Sequence, residues 1–126
     1  MLKMGFKALL AQANAEINTI SVSDFDYLED SPDTVVVDVR DSFERETEGA
    51  IPGSIHAPRG MLEFHADPES PAYLSALYPE ARVILYCGTG GRSALAAKTL
   101  SDMGYAEVSS LAGGFAAWKA ANKKTI

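Results

Sequence analysis

The chain has 126 residues, 47% hydrophobic and 22% charged, close to globular averages. That length suits one domain with one buried core, and the composition excludes global disorder. A net charge of −6 argues against a non-specific nucleic-acid binder, no run approaches the roughly 20 apolar residues of a membrane span, and a single cysteine excludes a disulfide framework or a Cys-rich zinc site.

The charge is uneven. Residues 1–50 carry eleven acids and four bases, whereas residues 51–126 carry six acids and seven bases. The cysteine lies in the near-neutral half, where an anionic substrate meets less repulsion than the whole-chain charge implies.

At the N-terminus, Lys3, Lys7 and Ala11-Gln12-Ala13 faintly resemble a secretory leader, but Lys7 interrupts the apolar run that a leader requires. Met4, Leu9 and Ile17 with Phe6, Leu10 and Ala13 fall at helical spacing. Residues 4–17 are therefore predicted to form an amphipathic helix packed on the domain. Residues 1–18 are read as a helical extension and 19–121 as the core of one domain. A cytoplasmic location is expected, and a lone reduced cysteine is compatible with it.

Thr19 to Val22 is a short β-prone run, and Ser23 is the expected cap of a short helix ending before Pro32. Thr34 to Val39 is almost unbroken β-branched sequence, the mark of a strand buried on both faces. Asp41 or Ser42 caps a charged helix through Glu48, Pro52-Gly53 turns, and Ser54 to Ala57 is a short strand stopped by Pro58. Residues 59–64 suit one or two helical turns, and a further helix is expected from Pro71 to Tyr78. Arg82 to Tyr86 is a second buried strand, and a strong helix runs from about Arg92 to Met103, closed by Gly104. Glu107 to Leu111 is the last strand, and Gly113-Gly114 opens a final helix with Phe115 and Trp118. Alternating strands and helices predict an α/β fold: three layers, α/β/α, around a mostly parallel sheet of about five strands.

The informative segment is Cys87-Gly88-Thr89-Gly90-Gly91-Arg92-Ser93, between the second buried strand and the strong helix. In open α/β sheets, ligands bind beyond the carboxyl ends of the strands, where Cys87 sits. The glycines let the backbone turn several N–H groups inward, and the helix adds its positive end. This predicts an anion cradle around a sulfur, holding Cys87 as a nucleophilic thiolate near neutral pH. The loop fits neither G-x-x-x-x-G-K-[ST] nor G-x-G-x-x-G, which argues against a nucleotide site.

The sequence resembles the single-domain rhodanese family of sulfurtransferases. Cys87 to Ser93 matches the family loop Cys-x-x-Gly-x-Arg-[Ser/Thr], and Val36-Val37-Asp38-Val39-Arg40 resembles its first core strand. Gly49 to Ser54 resembles its Gly-His-Ile-Pro-Gly-Ala segment, with Ala50 in place of the histidine. Leu111 to Trp118 resembles its Gly-Gly-aromatic-x-x-Trp signature. The four matches run in order across residues 34–119.

The resemblance implies that Cys87 attacks the outer sulfur of a small anionic donor such as thiosulfate. The persulfide formed would be held by the N–H groups of residues 88–93 and delivered to cyanide or a thiol, including a protein thiol. No metal or organic cofactor is implied, and with no second cysteine the acceptor must be external. Two other classes are alternatives: a non-catalytic persulfide carrier for a partner protein, and a phosphatase or arsenate reductase. The latter, within the same fold, use a loop one residue longer, whereas Arg92 lies five positions after Cys87.

Gly88, Thr89, Gly90, Gly91, Arg92 and Ser93 are thus expected to bind substrate, Arg92 by its guanidinium. Arg59, following Pro58 on the same rim, is a further candidate for the sulfonate end. Asp38 and Arg40 are expected to serve structure near the site. His56 and His65 are not expected to act as bases, since a low-pKa cysteine needs none. Trp118 is expected in the core, and Met61, Leu62 and Phe64 either there or in a pocket wall.

Overall fold

A computed structural model describes residues 1–28 and 30–126. Among the described residues, five strands form one sheet: β1 (Asn18–Ile20), β2 (Thr34–Asp38), β3 (Ile55–His56), β4 (Arg82–Tyr86) and β5 (Glu107–Leu111). Their order is β1-β5-β4-β2-β3, and every pairing is parallel. Six α-helices of the described residues surround it: α1 (Phe6–Glu16), α2 (Val22–Leu28), α3 (Ser42–Glu48), α4 (Leu62–Ala66), α5 (Gly91–Met103) and α6 (Gly114–Ala120). A 3₁₀ turn at Arg59–Met61 leads into α4.

Strand periodicity divides the core into two halves, because successive side chains point to opposite faces. Val37, Val83, Leu85 and Val108 face Leu62 and Ala66 of α4 and Ala96, Ala97 and Leu100 of α5. Val36, Ile84, Tyr86 and Leu111 face Phe25 of α2 and Phe115 and Trp118 of α6. The result is the expected three-layer α/β/α arrangement. The long runs of β2 and β4 occupy the sheet interior, while the two- and three-residue strands lie at its edges.

Several local expectations change. The α2 cap is Ser21 rather than Ser23: Ser21 Oγ accepts the Asp24 N–H at 3.1 Å while Asp24 Oδ2 accepts the Ser21 N–H. The stretch at Glu29 lies outside the described residues. The helix expected over 71–78 is a series of turns. There, the Ala72 carbonyl, which a helix would bond to residue 76, accepts from His65 Nδ1, and the Leu77 carbonyl accepts from Tyr105 Oη. His65 lies in α4. The N-terminal helix packs on α5 through Ala13, but Phe6 and Leu9 remain exposed and Met4 precedes it. Met61 and Phe64 are exposed as well, so neither belongs to the core; Leu62 does. Among the described residues, no helix is long and apolar enough to cross a membrane.

Candidate active site

Cys87 follows β4 directly, at the carboxyl rim of the sheet. From β2 and β4 the chain leaves toward opposite edges, to β3 and to β5, so the crevice between them is the topological switch point. The thiol lies beneath the N-terminus of α5 and is 1% exposed. The Gly90 N–H donates to Sγ at 3.1 Å and the Ser93 N–H at 3.4 Å. Gly90 has φ +112°, a backbone conformation that L side chains rarely adopt, and this aims its N–H inward.

Ser93 Oγ stands 3.5 Å from Sγ, 3.2 Å from the Gly90 carbonyl and 2.8 Å from Ser110 Oγ. Its hydroxyl can accept from the thiol or rotate to donate to the thiolate. Burial alone raises the Cys87 pKa. Hydrogen bonds from the Ser93 hydroxyl and from the N–H groups of Ser93, Gly90 and Thr89 outweigh it and hold the thiol below its usual value. The arrangement favours sulfur carrying negative charge, in a water-poor setting where each donor counts for more.

Arg92 leaves the loop rim and meets Glu44 of α3, Nη1 to Oε1 at 2.6 Å and Nη2 to Oε2 at 2.9 Å. Glu44 also accepts the Asp41 N–H that opens α3. A pocket of about 420 Å³ borders the loop at Gly88 and Thr89 and is lined by Glu48, Phe115, Ala116 and Lys119.

Behind the site, Asp38 and Arg40 are fully buried. Asp38 accepts Arg40 Nε at 3.0 Å and Nη2 at 2.9 Å, Arg45 Nη1 at 2.9 Å and Tyr86 Oη at 3.0 Å. Burial raises the Asp38 pKa, but these donors, Arg40 foremost, bring it below the usual carboxylate value. The Arg40 guanidinium lies 4.4 Å from the Phe115 ring centroid, and Nη2 also donates to the Gly49 carbonyl. The network ties the ends of β2 and β4 to α3 beneath the cysteine loop.

Residues 21–121 match the Rhodanese-like domain family. The chain belongs to that family. It is 32% identical over 103 residues to a sulfurtransferase of Allochromatium vinosum, covering 82% of this chain and 86% of that one. It is 37% identical over 93 residues to a tRNA sulfurtransferase of Desulfurococcus amylolyticus, 74% of this chain but only 16% of the relative's length. A solved structure from Rhodopseudomonas palustris, described as a protein of unknown function and possible tyrosine phosphatase, superposes with a TM-score of 0.93. It is 43% identical and covers 100% of this chain and 97% of that chain. The family and its named relatives support a rhodanese-type sulfurtransferase.

Within the rhodanese-like fold, Cys87 and residues 88–93 come together as one loop and helix start. Arg59 does not join them. Its Nη2 donates to Thr99 Oγ1 at 3.2 Å and its Nη1 pairs with Glu63 at 3.0 Å. Thr99 lies eight residues into α5, about 12 Å along the helix axis from Gly91. The backbone of Arg59 reaches the rim, but its side chain turns along α5. His56 Nε2 donates to the Arg40 carbonyl at 2.7 Å, and His65 Nδ1 to that of Ala72. Both rings are occupied by backbone.

Three participants escaped sequence reading. Glu44 was visible only as part of a charged helix, although Asp41-x-x-Glu44 has capping-box spacing that fixes its start. Ser110 is a buried hydroxyl in a strand, and the Ser109-Ser110 pair within an apolar run was its signal. Tyr86 reads as one more apolar strand residue, yet its hydroxyl reaches Asp38, Ser54 and the Ile51 N–H.

Proposed function

We propose that this chain transfers sulfane sulfur through a persulfide on Cys87. The thiolate attacks the outer sulfur of thiosulfate or a similar anionic donor. A new S–S bond forms, the donor's own S–S bond breaks, and sulfite leaves with the bonding pair. Cyanide or a thiol then attacks the terminal sulfur, takes it, and returns the electron pair to Cys87. The N–H groups of residues 88–93 stabilise negative charge on thiolate and persulfide alike, Arg92 orients the donor's oxyanion, and Arg59 stands outside the donor site. We place the reaction in the cytoplasm, where a lone thiol stays reduced.

The observation that carries this reading is a buried thiol receiving the Gly90 and Ser93 N–H groups at 3.1 and 3.4 Å in a loop where Arg92 lies only five positions after Cys87. A loop of that size suits a sulfur atom better than a tetrahedral phosphoryl group. The test is intact-protein mass spectrometry after thiosulfate treatment of wild type and Cys87→Ser. A gain of one sulfur in wild type alone, reversed by cyanide, is expected. No gain while Cys87 still reacts with an alkylating agent would sink the thiosulfate reading. Sulfur uptake without turnover on cyanide would mark a carrier, and hydrolysis of a phosphoryl ester would mark the phosphatase alternative.

A further inference from the structure

The backbone leaves β5 through Gly113 and enters α6 at Gly114, which has φ +57° and is buried against Cys87 and Gly88 of the cysteine loop. A Cβ at Gly114 would lie 2.5 Å from the Cys87 carbonyl oxygen and 2.8 Å from the carbonyl carbon and oxygen of Gly88. All three are backbone atoms, which cannot give way as a side chain would. Through this close approach the Phe115 N–H donates to the Cys87 carbonyl at 2.8 Å and the Ala116 N–H to the Gly88 carbonyl at 3.0 Å.

These two bonds fix the direction of two peptide planes. In a trans peptide the C=O and the following N–H point to opposite sides, and no peptide bond here is cis. Holding the Cys87 carbonyl toward α6 turns the Gly88 N–H away from α6. Holding the Gly88 carbonyl turns the Thr89 N–H away likewise. With both planes fixed, the chain is set on its path into Gly90, the next residue, whose N–H donates to the Cys87 sulfur at 3.1 Å.

We infer that Gly114 is a positioning residue for Cys87: its missing side chain lets the first turn of α6 grip the Cys87 and Gly88 carbonyls, which aims the loop N–H groups at the sulfur. The α6 terminus binds no substrate in this scheme, because these N–H groups are occupied by the two carbonyls. The inference rests on Cys87 being the reacting atom of the proposed function, but its test does not need sulfur transfer.

The experiment follows alkylation of Cys87 by iodoacetamide across a pH series, read by intact mass, in the full-length chain. In Gly114→Ala the profile moves to higher pH and the rate at pH 7 falls by about tenfold, as expected for losing one hydrogen bond to a charged atom. Gly53→Ala is the control: Gly53 has φ +79° but nothing within 4 Å of the added Cβ, so it introduces backbone strain alone and keeps the wild-type profile. Should Gly114→Ala fail to fold by circular dichroism, Ala116→Pro decides. Ala116 is exposed and its N–H makes no intrahelical bond, so proline in this first turn deletes the donor to Gly88 and leaves the helix ladder whole. A wild-type profile in either folded variant, or an equal shift in Gly53→Ala, overturns the inference. If thiosulfate adds no sulfur to wild type while Gly114→Ala still shifts alkylation, the sulfur-transfer reading fails and the positioning role stands.

Discussion

Arg92 and Glu44 meet in a two-pronged ion pair that lies against Gly88: a Cβ there would stand 3.2 Å from Arg92 Nη2 and 4.0 Å from Glu44 Oε2. The pair joins the helix after β2 to the loop after β4, and it occupies the guanidinium that a donor anion would use. Glu44 therefore has two effects to separate, one on stability and one on substrate binding.

The stability effect has a defined pH window. Hydrogen bonds from Arg92 hold the Glu44 carboxyl at about 2, against an ordinary value of 4.5. A carboxyl whose folded pKa is lowered contributes stability above its unfolded value and loses it as pH falls toward the folded one. Glu44→Gln should be less stable than wild type at pH 7. The pair is partly exposed, so the difference should be at most about 1 kcal/mol. The gap should narrow between pH 4.5 and pH 2 in urea titrations. A gap independent of pH would show that the ion pair is not its source.

On the substrate side, Arg92→Ala should raise the KM for thiosulfate by about tenfold, the usual scale of one charge-assisted hydrogen bond. Glu44→Gln, which frees the guanidinium, should lower it. Steady-state kinetics with cyanide as acceptor reads both. Equal KM values in the two variants would remove Arg92 from donor binding.

Ser93→Ala should slow alkylation of Cys87 near neutral pH and move its pH profile upward, because the hydroxyl that serves the thiolate is gone. It should also cost about 1–2 kcal/mol in urea unfolding, since Ser110 Oγ and the Gly90 carbonyl lose a buried partner. Unchanged alkylation would leave the thiol's acidity to the backbone N–H groups alone.

Asp38→Ala strands the fully buried Arg40 charge. One Arg40 nitrogen, Nη1, is already buried without a hydrogen-bond partner among the described residues, so the network has little slack. A loss of about 3–5 kcal/mol is expected by chemical denaturation. A loss below about 1 kcal/mol would mean that water reaches the site and that the network is not a dry one.

Arg59→Ala, in contrast, should leave the thiosulfate KM within about twofold of wild type, because its guanidinium is engaged by Thr99 and Glu63. A large rise in KM would mean that Arg59 swings to the loop when donor binds.

The sequence by itself determined the sheet and the loop. The β-branched run of β2 and the apolar run of β4 read as interior parallel strands, and a cysteine with three glycines between such a strand and a long helix has few backbone paths open to it. Tertiary structure decided which side chains reach that loop. Arg59 and Glu44 are both charged residues near strand ends, yet Arg59 turns along α5 while Glu44 reaches Arg92 from 48 positions away. The segment 71–78, where a helix is expected, forms turns whose Ala72 and Leu77 carbonyls accept from His65 and Tyr105, both outside the segment. Local propensity and periodicity act over a few residues and are written in the chain. Side-chain partners are chosen by packing between elements far apart in sequence, where a single competing hydrogen bond outweighs a weak local preference.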